Sequence, residues 1–355
     1  MARTPLYDVL ASAGAGVRMG EYSGVESAAA FGEVGEEFDA LRSGCGIYDL
    51  GWRAKLIASG PDRVRWMNGM VTNNIKDLPL NRGTYNFLLN AQGRIQGDLY
   101  IYNRGDYLLI DTDANQSEKL REIFNKYIIM DDVEISDASE KLTAIGARGP
   151  HCSEVLRRAG IGPASLQELE VRDASLNGIG SSLARGASAQ GEHYEIWMAP
   201  QNVPAIWRLL AQAGAKSAGF EALEMARIAA GVPRYGQDIR ERDLPQETQQ
   251  QHALNFQKGC YVGQEIVERI HSRGNVHRKF MGFEFADGTP APGTKLQRGG
   301  KDVGEITSVA SLPSRNGANH TIGLGYIRHE AAAAGSEVSA GEGRAKVVEI
   351  PFNDL

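Results

Sequence analysis

The octet Lys258-Gly259-Cys260-Tyr261-Val262-Gly263-Gln264-Glu265 is the stretch of this sequence whose residue types best suit chemistry. Glycine before Cys260 permits backbone conformations closed to other residues and leaves space beside the sulfur. Lys258, two residues away, favours the thiolate, which is the reactive form of the thiol. Helical spacing after Gly263 predicts that Cys260 lies in a tight loop before a helix N-terminus, where the helix dipole also favours a thiolate. The alternative is a small buried cysteine in a structural turn.

Two carboxylates lie on predicted strands. Alternation around Asp98 predicts that it shares a strand face with Gln96 and Tyr100. The other interpretation of Asp98 is an ordinary solvent-facing acid, because acids are usually exposed. Glu195 has apolar neighbours on a predicted strand, and a carboxylate there can accept two adjacent N–H groups as a bidentate pair.

Bulk composition limits the function classes. A chain of 355 residues exceeds the usual size of one core, so two or three domains are expected. With 38 basic and 44 acidic side chains, the formal charge is −6, which argues against nucleic acid or an anionic membrane as the main partner. No apolar run approaches the ~18 residues of a membrane span, and the first residues lack the apolar core of a secretory signal. The three cysteines are scattered, which suits a reducing cytoplasm and excludes a self-contained zinc or four-cysteine cluster site, so we expect no metal.

The elements that position these residues are mixed. Strands at Thr84–Leu89, Ile95–Tyr102 and Tyr107–Asp111, joined by tight turns, predict an antiparallel meander. Helical patterns lie between the predicted strands, so the expected class is α+β with antiparallel sheets. From Met281 onward, short β-prone runs between Gly- and Pro-containing turns indicate a small barrel or sandwich, with a boundary at Asn275 to Lys279.

The octet resembles the Lys-Gly-Cys-aromatic-x-Gly-Gln-Glu signature of the folate-binding YgfZ family, which is similar in fold to the T-protein (aminomethyltransferase) of the glycine cleavage system. Tyr235-Gly236-Gln237-Asp238-Ile239 resembles a Tyr-Gly-x-Asp-Ile loop of the same relatives. The resemblance implies a three-domain cloverleaf around a central folate cavity. Its expected domains are residues 1–55 with 145–275, residues 56–144 with the meander, and a C-terminal β-barrel at 276–355.

The resemblance also implies roles for residues. The Tyr194-Glu195-Ile196 element matches the one that supplies a carboxylate to the pterin ring, so Glu195 and Tyr194 are expected to bind cofactor. Arg227 matches a family arginine and either anchors folate or braces Glu195. Without the family it would be an ordinary surface cation. Tyr235 is expected to be a pocket aromatic.

Asp98 matches the second acid of a Gly-Gly-x-x-Asp-Asp-Leu pattern that handles the folate N5 region, whereas Gly97 replaces the first acid. The cofactor that the resemblance implies is tetrahydrofolate or a one-carbon derivative. Asp98, Cys260 and Lys258 are then the expected catalytic residues, and Asp98 is also expected to contact the cofactor.

Three functions remain open. The main prediction is a cytoplasmic tetrahydrofolate-binding protein in iron–sulfur cluster assembly or repair, with Cys260 beside the folate pocket and assembly or client proteins as partners. The second is an aminomethyltransferase, with Asp98 near N5 and a lipoylated H-protein as partner. The third is a non-catalytic folate-binding scaffold, in which Asp98 and Cys260 are dispensable and Glu195 is not.

Overall fold

The structure is a computed structural model that describes residues 2–12, 16–162, 165–176, 178–187, 191–274, 276–313 and 319–352. The chain divides into two compact units, one of Met1–Asn86 with Leu99–Leu223 and one of Phe87–Asp98 with Glu224–Leu355. The predicted three-domain limits stay a prediction, and Asn275 of the predicted boundary lies outside the described residues.

The described chain combines helices with largely antiparallel sheets, which confirms the expected α+β class. The strands are β1 (Ala2–Arg3), β2 (Arg18–Tyr22), β3 (Val25–Ala30), β4 (Gly46–Asp49), β5 (Arg53–Ser59), β6 (Gly83–Leu89), β7 (Ile95–Asn103), β8 (Leu108–Asp113), β9 (Glu134–Asp137), β10 (Thr143–Arg148), β11 (Val171–Leu176), β12 (Ile179–Arg185), β13 (His193–Met198), β14 (Lys216–Ser217), β15 (Arg278–Phe285), β16 (Lys295–Arg298), β17 (Lys301–Leu312), β18 (His320–Arg328), β19 (Glu337–Ala340) and β20 (Gly343–Val348). The α-helices are α1 (Tyr7–Ser12), α2 (Val34–Ser43), α3 (Arg63–Met70), α4 (Ala114–Tyr127), α5 (Cys152–Arg158), α6 (Val203–Gln212), α7 (Phe220–Ala229) and α8 (Gln264–Arg273).

The predicted meander forms part of a five-stranded sheet with strand order β6-β7-β8-β5-β9. In the first unit, β5 pairs antiparallel with β8, so that Arg53 faces Asp113 and Lys55 faces Asp111. Residues 108–111 of β8 pair in turn with residues 100–103 of β7. Because side chains alternate along a strand, the basic residues Arg53 and Lys55 and the acidic residues Asp111 and Asp113 lie on one face of this sheet. The side chains of Tyr100 and Tyr102 on β7 lie on the same face.

A six-stranded sheet with order β11-β12-β13-β10-β4-β14 holds Glu195. The side chains of β13 alternate between two environments. Tyr194, Ile196 and Met198 belong to the hydrophobic core of the unit. The opposite face carries Glu195 and Trp197, and the Trp197 ring lies 4.9 Å from the ring of Tyr102 on β7. A polar and aromatic layer thus separates the two sheets inside the first unit.

The second unit ends in a closed six-stranded barrel with order β15-β18-β17-β16-β19-β20, as the β-prone C-terminal runs predict. Its core is built from inward-facing side chains such as Phe283, Leu296 and Val347. Among the described residues, no helix combines the length and apolar composition that a membrane span requires.

Candidate functional site

Glu195 is buried in the polar layer of the first unit, with 9% of its surface exposed. Its Oε2 accepts a hydrogen bond of 2.8 Å from Nε1 of Trp197. Its Oε1 accepts none from the described residues. An oxygen that no described donor occupies is open to accept a hydrogen bond from a ligand.

Arg53 provides open donors in the same layer. Its Nε donates to Asp111 at 2.7 Å and one NH1 group donates to Asp113 at 2.7 Å. The other three N–H groups donate to no described residue, and the side chain is 15% exposed. Burial alone would lower the pKa of Arg53, but the charges of Asp111, Asp113 and Glu195 raise it well above its usual value. Arg53 is therefore a permanent cation close enough to Glu195 for the two charges to interact.

Lys55 is the most deeply buried charged residue of this layer. It is completely buried, with Nζ 2.6 Å from Oδ2 of Asp111 and 5.3 Å from the centroid of the Trp197 ring. Burial alone would raise the pKa of Asp111, but the charges of Arg53 and Lys55 outweigh that effect and lower it. Asp111 is thus ionised, and it accepts hydrogen bonds from both Lys55 and Arg53.

Aromatic rings complete the layer. Tyr102 is buried, and burial, followed by the charges of Glu195 and Asp111, raises its pKa well above the ordinary value. Gly146 on the central strand β10 pairs with Glu195 on β13 at one side and with Tyr48 on β4 at the other. A Cβ at position 146 would lie 2.1 Å from the Tyr48 ring, so glycine is required for this ring to lie across the strand. These hydroxyls stay protonated and the rings present flat apolar surface.

Tyr194 lies on the other face of β13 from Glu195. It is 3% exposed, belongs to the hydrophobic core, and its hydroxyl is 3.2 Å from Oγ of Ser153. The structure therefore places the predicted cofactor-binding residues Glu195 and Tyr194 in different environments, because adjacent residues on a strand point in opposite directions.

Asp98 and Tyr235 come together in the second unit. Residues 96 and 98 are half-buried and alternate with buried residues, which confirms the predicted alternation along β7. The Tyr235 hydroxyl donates a 2.7 Å hydrogen bond to the carbonyl oxygen of Gln96. Tyr235 thereby holds the strand segment that bears Asp98.

Arg227, on α7, is saturated by protein groups. It donates to both carboxylate oxygens of Glu224 at 3.0 and 2.8 Å, and to Asp238 at 2.7 Å. It also donates to the carbonyl of Val232 at 2.7 Å and to the hydroxyl of Ser308 at 2.9 Å. Five bonds use the whole donor capacity of a guanidinium. The contacts within the second unit thus make Arg227 a brace of the loop around buried Asp238.

Cys260 is exposed and lies four positions before the start of α8, so the predicted loop before a helix is confirmed. Gly263 is the N-cap of that helix with φ +81°, and a Cβ there would lie 2.5 Å from the carbonyl oxygen of Asn90. Lys258 places Nζ 5.0 Å from the Tyr261 ring, and burial lowers the pKa of Lys258 to about 7. Its positive charge is therefore only partial at neutral pH, and the predicted thiolate at Cys260 stays a prediction.

Reasoning from sequence missed Arg53, Lys55, Asp111, Tyr48 and Trp197. The available signal is charge at alternate positions of otherwise apolar strands, in Arg53-Ala54-Lys55 and in Ile110-Asp111-Thr112-Asp113. Among the described residues, no three histidine, cysteine, aspartate or glutamate side chains are grouped so that they could hold a metal ion.

Comparison with known families shows two matches. Residues 6–258 match the family described as the GCVT N-terminal domain, and residues 278–354 match the glycine cleavage T-protein C-terminal barrel domain.

Individual proteins align along nearly the whole chain. An aminomethyltransferase of Rubrobacter xylanophilus is 29% identical over 357 residues, which covers 99% of this chain and 94% of that protein. A putative chloroplastic transferase of Arabidopsis thaliana is 26% identical over 340 residues, or 95% of this chain and 77% of that protein. The crystal structure of the glycine cleavage system aminomethyltransferase T from Bartonella henselae superposes with a TM-score of 0.88 at 19% identity, covering 99% of this chain and 98% of that one. This superposition confirms the T-protein-like fold.

Proposed function

We propose that this chain, which belongs to the glycine cleavage T-protein family, is a tetrahydrofolate-dependent transferase of the aminomethyltransferase type. Tetrahydrofolate is the one-carbon acceptor that this family uses. The observation that supports the proposal is the open oxygen of Glu195 in a buried, aromatic-lined layer. The aminomethyltransferase alternative predicted from the sequence fits the relatives better than the iron–sulfur role.

Glu195 has the chemistry to hold a pterin. A pterin ring presents two adjacent N–H donors, and a carboxylate accepts both in a bidentate pair. Oε2 already accepts from Trp197 and keeps a second lone pair, while Oε1 is open. Trp197 therefore fixes the orientation of the carboxylate and leaves it free to bind.

Arg53 complements Glu195. Next to the N–H donors, the edge of a pterin carries a ring carbonyl, which is an acceptor. We assign this carbonyl to the N–H groups of Arg53 that bond to no described residue. Asp111 and Asp113 hold the guanidinium in one orientation, so that it loses little conformational freedom on binding.

The remaining residues would exclude water and move protons. Bound tetrahydrofolate supplies the nitrogen that accepts the one-carbon unit. The rings of Tyr102 and Trp197 shield the polar layer from solvent, which strengthens its electrostatic contacts. Asp98 is the proposed group that holds a proton near the reacting nitrogen, with Tyr235 as the residue that positions its strand. Tyr194 is left out because it lies in the core, and Arg227 is assigned a structural role.

Calorimetric titration with tetrahydrofolate tests the binding site. Glu195→Gln keeps the shape of the side chain but loses the charge, and should weaken binding by about 2–3 kcal/mol, or about 30- to 150-fold. Glu118→Gln, at an exposed site on α4, is the matched control and should bind like the wild type. Equal affinities for wild type and Glu195→Gln would show that tetrahydrofolate does not bind in this layer.

The proposed contact between Arg53 and the pterin carbonyl is tested by comparing the affinities of two classes of pteridine. Wild type should prefer 4-oxo pterins over 2,4-diaminopteridines by about tenfold, because the amino group offers Arg53 no acceptor. Arg53→Met should abolish this preference and retain the requirement for Glu195. Asp111 and Asp113 keep Lys55 and Ser23 as partners in this variant, so a thermal melt should show a folded protein. A preference that survives in Arg53→Met contradicts the assignment.

Activity is tested in a reconstituted glycine cleavage assay with a lipoylated H-protein, the proposed partner. Ammonia release should depend on this protein and on tetrahydrofolate. Asp98→Asn should lower the rate by about 100-fold or more and leave folate affinity nearly unchanged. Absence of ammonia release alongside normal folate binding would rule out the transferase and leave the iron–sulfur role and the non-catalytic scaffold.

Iron–sulfur assembly or repair in the cytoplasm is a second candidate, favoured by the octet and by the exposed thiol of Cys260. A single cysteine cannot hold a cluster, so this role would need ligands from a client or assembly protein. Cys260→Ala should then keep folate affinity and fail to complement a strain that lacks the factor. Full complementation by Cys260→Ala would eliminate this candidate.

A further inference from the structure

A cleft of about 510 Å³ opens beside the barrel in the second unit. Thr307 and Tyr326 form part of its inner wall. Cationic side chains dominate its lining: Arg94, Arg240, Arg242, Arg278, Lys295 and Arg328.

Four acids line the cleft, and three of them accept hydrogen bonds from the protein through both oxygens, whereas Asp302 accepts from Gln297 through one described contact. Both oxygens of Glu305 are occupied, by Arg240 at 2.8 Å and Lys295 at 2.5 Å. Asp243 accepts from the guanidinium of Arg278 and from the backbone N–H of Arg240. Asp238 likewise uses both of its oxygens within the protein. The charges of these three acids are therefore already paired with protein donors, so they are poor partners for a cationic ligand.

The donors of the cleft are in excess. Arg242 is 60% exposed and approaches Asp243 and Glu305 only to 3.9 Å, which is too long for a hydrogen bond. Arg278 bonds through NH2 alone, which leaves its Nε and NH1 groups without a described partner. Arg240 has no described partner at NH2.

Tyr326 adds a buried donor. It is 4% exposed, and its hydroxyl has no hydrogen-bond partner in the described part of the chain. Burial raises the pKa of Tyr326, so the hydroxyl stays protonated and can donate. The Arg278 guanidinium lies 4.5 Å from the centroid of the Tyr326 ring, and both residues line the cleft.

We propose that this cleft binds a small oxygen-rich anion with at least two negative charges, held by the unused guanidinium donors and by the Tyr326 hydroxyl. Carboxylates and phosphates both present several acceptor oxygens at the spacing of guanidinium N–H groups. The site lies wholly within the second unit and does not depend on the pterin contacts proposed for the first.

Titration calorimetry of the full chain with pyrophosphate and, separately, with citrate tests the proposal at low salt. At least one probe should bind saturably, and the probe that binds identifies the ligand as a phosphate or a carboxylate. Tyr326→Phe keeps the stack with Arg278 and removes only the orphan hydroxyl, and should weaken binding about fivefold. Arg242→Gln should weaken it by a similar factor, because it removes a charged donor.

Arg65→Gln is the matched control, since it removes an exposed cation from α3 in the other unit. It should bind the probes like the wild type. Failure of both probes to saturate overturns the proposal, and so does binding that Tyr326→Phe and Arg242→Gln leave unchanged. Thermal melts confirm that each variant is folded, so a loss of binding reports on the cleft.

Discussion

Lys55 and Asp111 form an ion pair that water does not reach. Nζ lies 2.6 Å from Oδ2, and the two side chains are 0% and 2% exposed. Such a pair is expensive to desolvate and contributes little net stability, but removing Lys55 leaves the buried charge of Asp111 with Arg53 as its one remaining charged partner among the described residues. Asp111 also accepts a hydrogen bond from Arg53, so we infer that the role of this ion pair is to hold Arg53 in position for the proposed pterin contact.

Lys55→Met should therefore lower the free energy of unfolding by about 3 kcal/mol at pH 7. Arg65→Gln, which breaks a solvent-exposed pair, should leave it nearly unchanged. The lowered pKa of Asp111 stabilises the fold above the unfolded value near pH 4, and that stability is lost as the pH falls through the folded pKa. The Lys55→Met penalty should accordingly shrink below about pH 4, as urea unfolding at several pH values would reveal. A penalty that does not change with pH would mean that packing, not charge, dominates.

Gly263 joins the octet loop to the turn of the β6–β7 hairpin. Gly263→Ala combines a positive φ with a Cβ 2.5 Å from the Asn90 carbonyl, and should cost at least about 2 kcal/mol. Gly236→Ala has a similar φ of +87° but open space, so it should cost only about 1 kcal/mol. Chemical denaturation of both variants measures the difference. Equal losses of unfolding free energy in the two variants would show that the hairpin turn moves away from the added methyl group.

Arg227 should behave as a structural residue. Arg227→Met leaves Asp238, which is 0% exposed, without its charged partner and should reduce the free energy of unfolding by about 3 kcal/mol. Tyr194→Phe removes only the contact with Ser153 and should cost about 1 kcal/mol. Folded Tyr194→Phe should bind tetrahydrofolate with wild-type affinity in the same calorimetric assay. Weaker binding by Tyr194→Phe would return this hydroxyl to the proposed site.

The elements with strong apolar periodicity were predictable from sequence, whereas polar strands held by their neighbours were not. The pattern of β13 predicts Glu195 on a strand, and α6 follows its helical spacing. β16 and β19 expose half or more of their residues and contain few β-prone side chains, and barrel closure pairs them. Likewise, the charges of Arg53 and Lys55 in the sequence predict a strand face that is exposed to solvent. Only the approach of a second sheet turns that face into a buried site.

Lys258 should make stability depend on pH above neutrality. Burial lowers its folded pKa to about 7, whereas an unfolded lysine titrates near pH 10.4. Between these values the unfolded chain binds more protons, so this lysine makes the free energy of unfolding rise with pH. Lys258→Met should lose that rise, and Lys126→Met, at an exposed position of α4, should keep it. Urea unfolding from pH 7 to about pH 9 compares the three proteins, and parallel curves for wild type and Lys258→Met would mean that Lys258 stays solvated and fully charged beside Cys260.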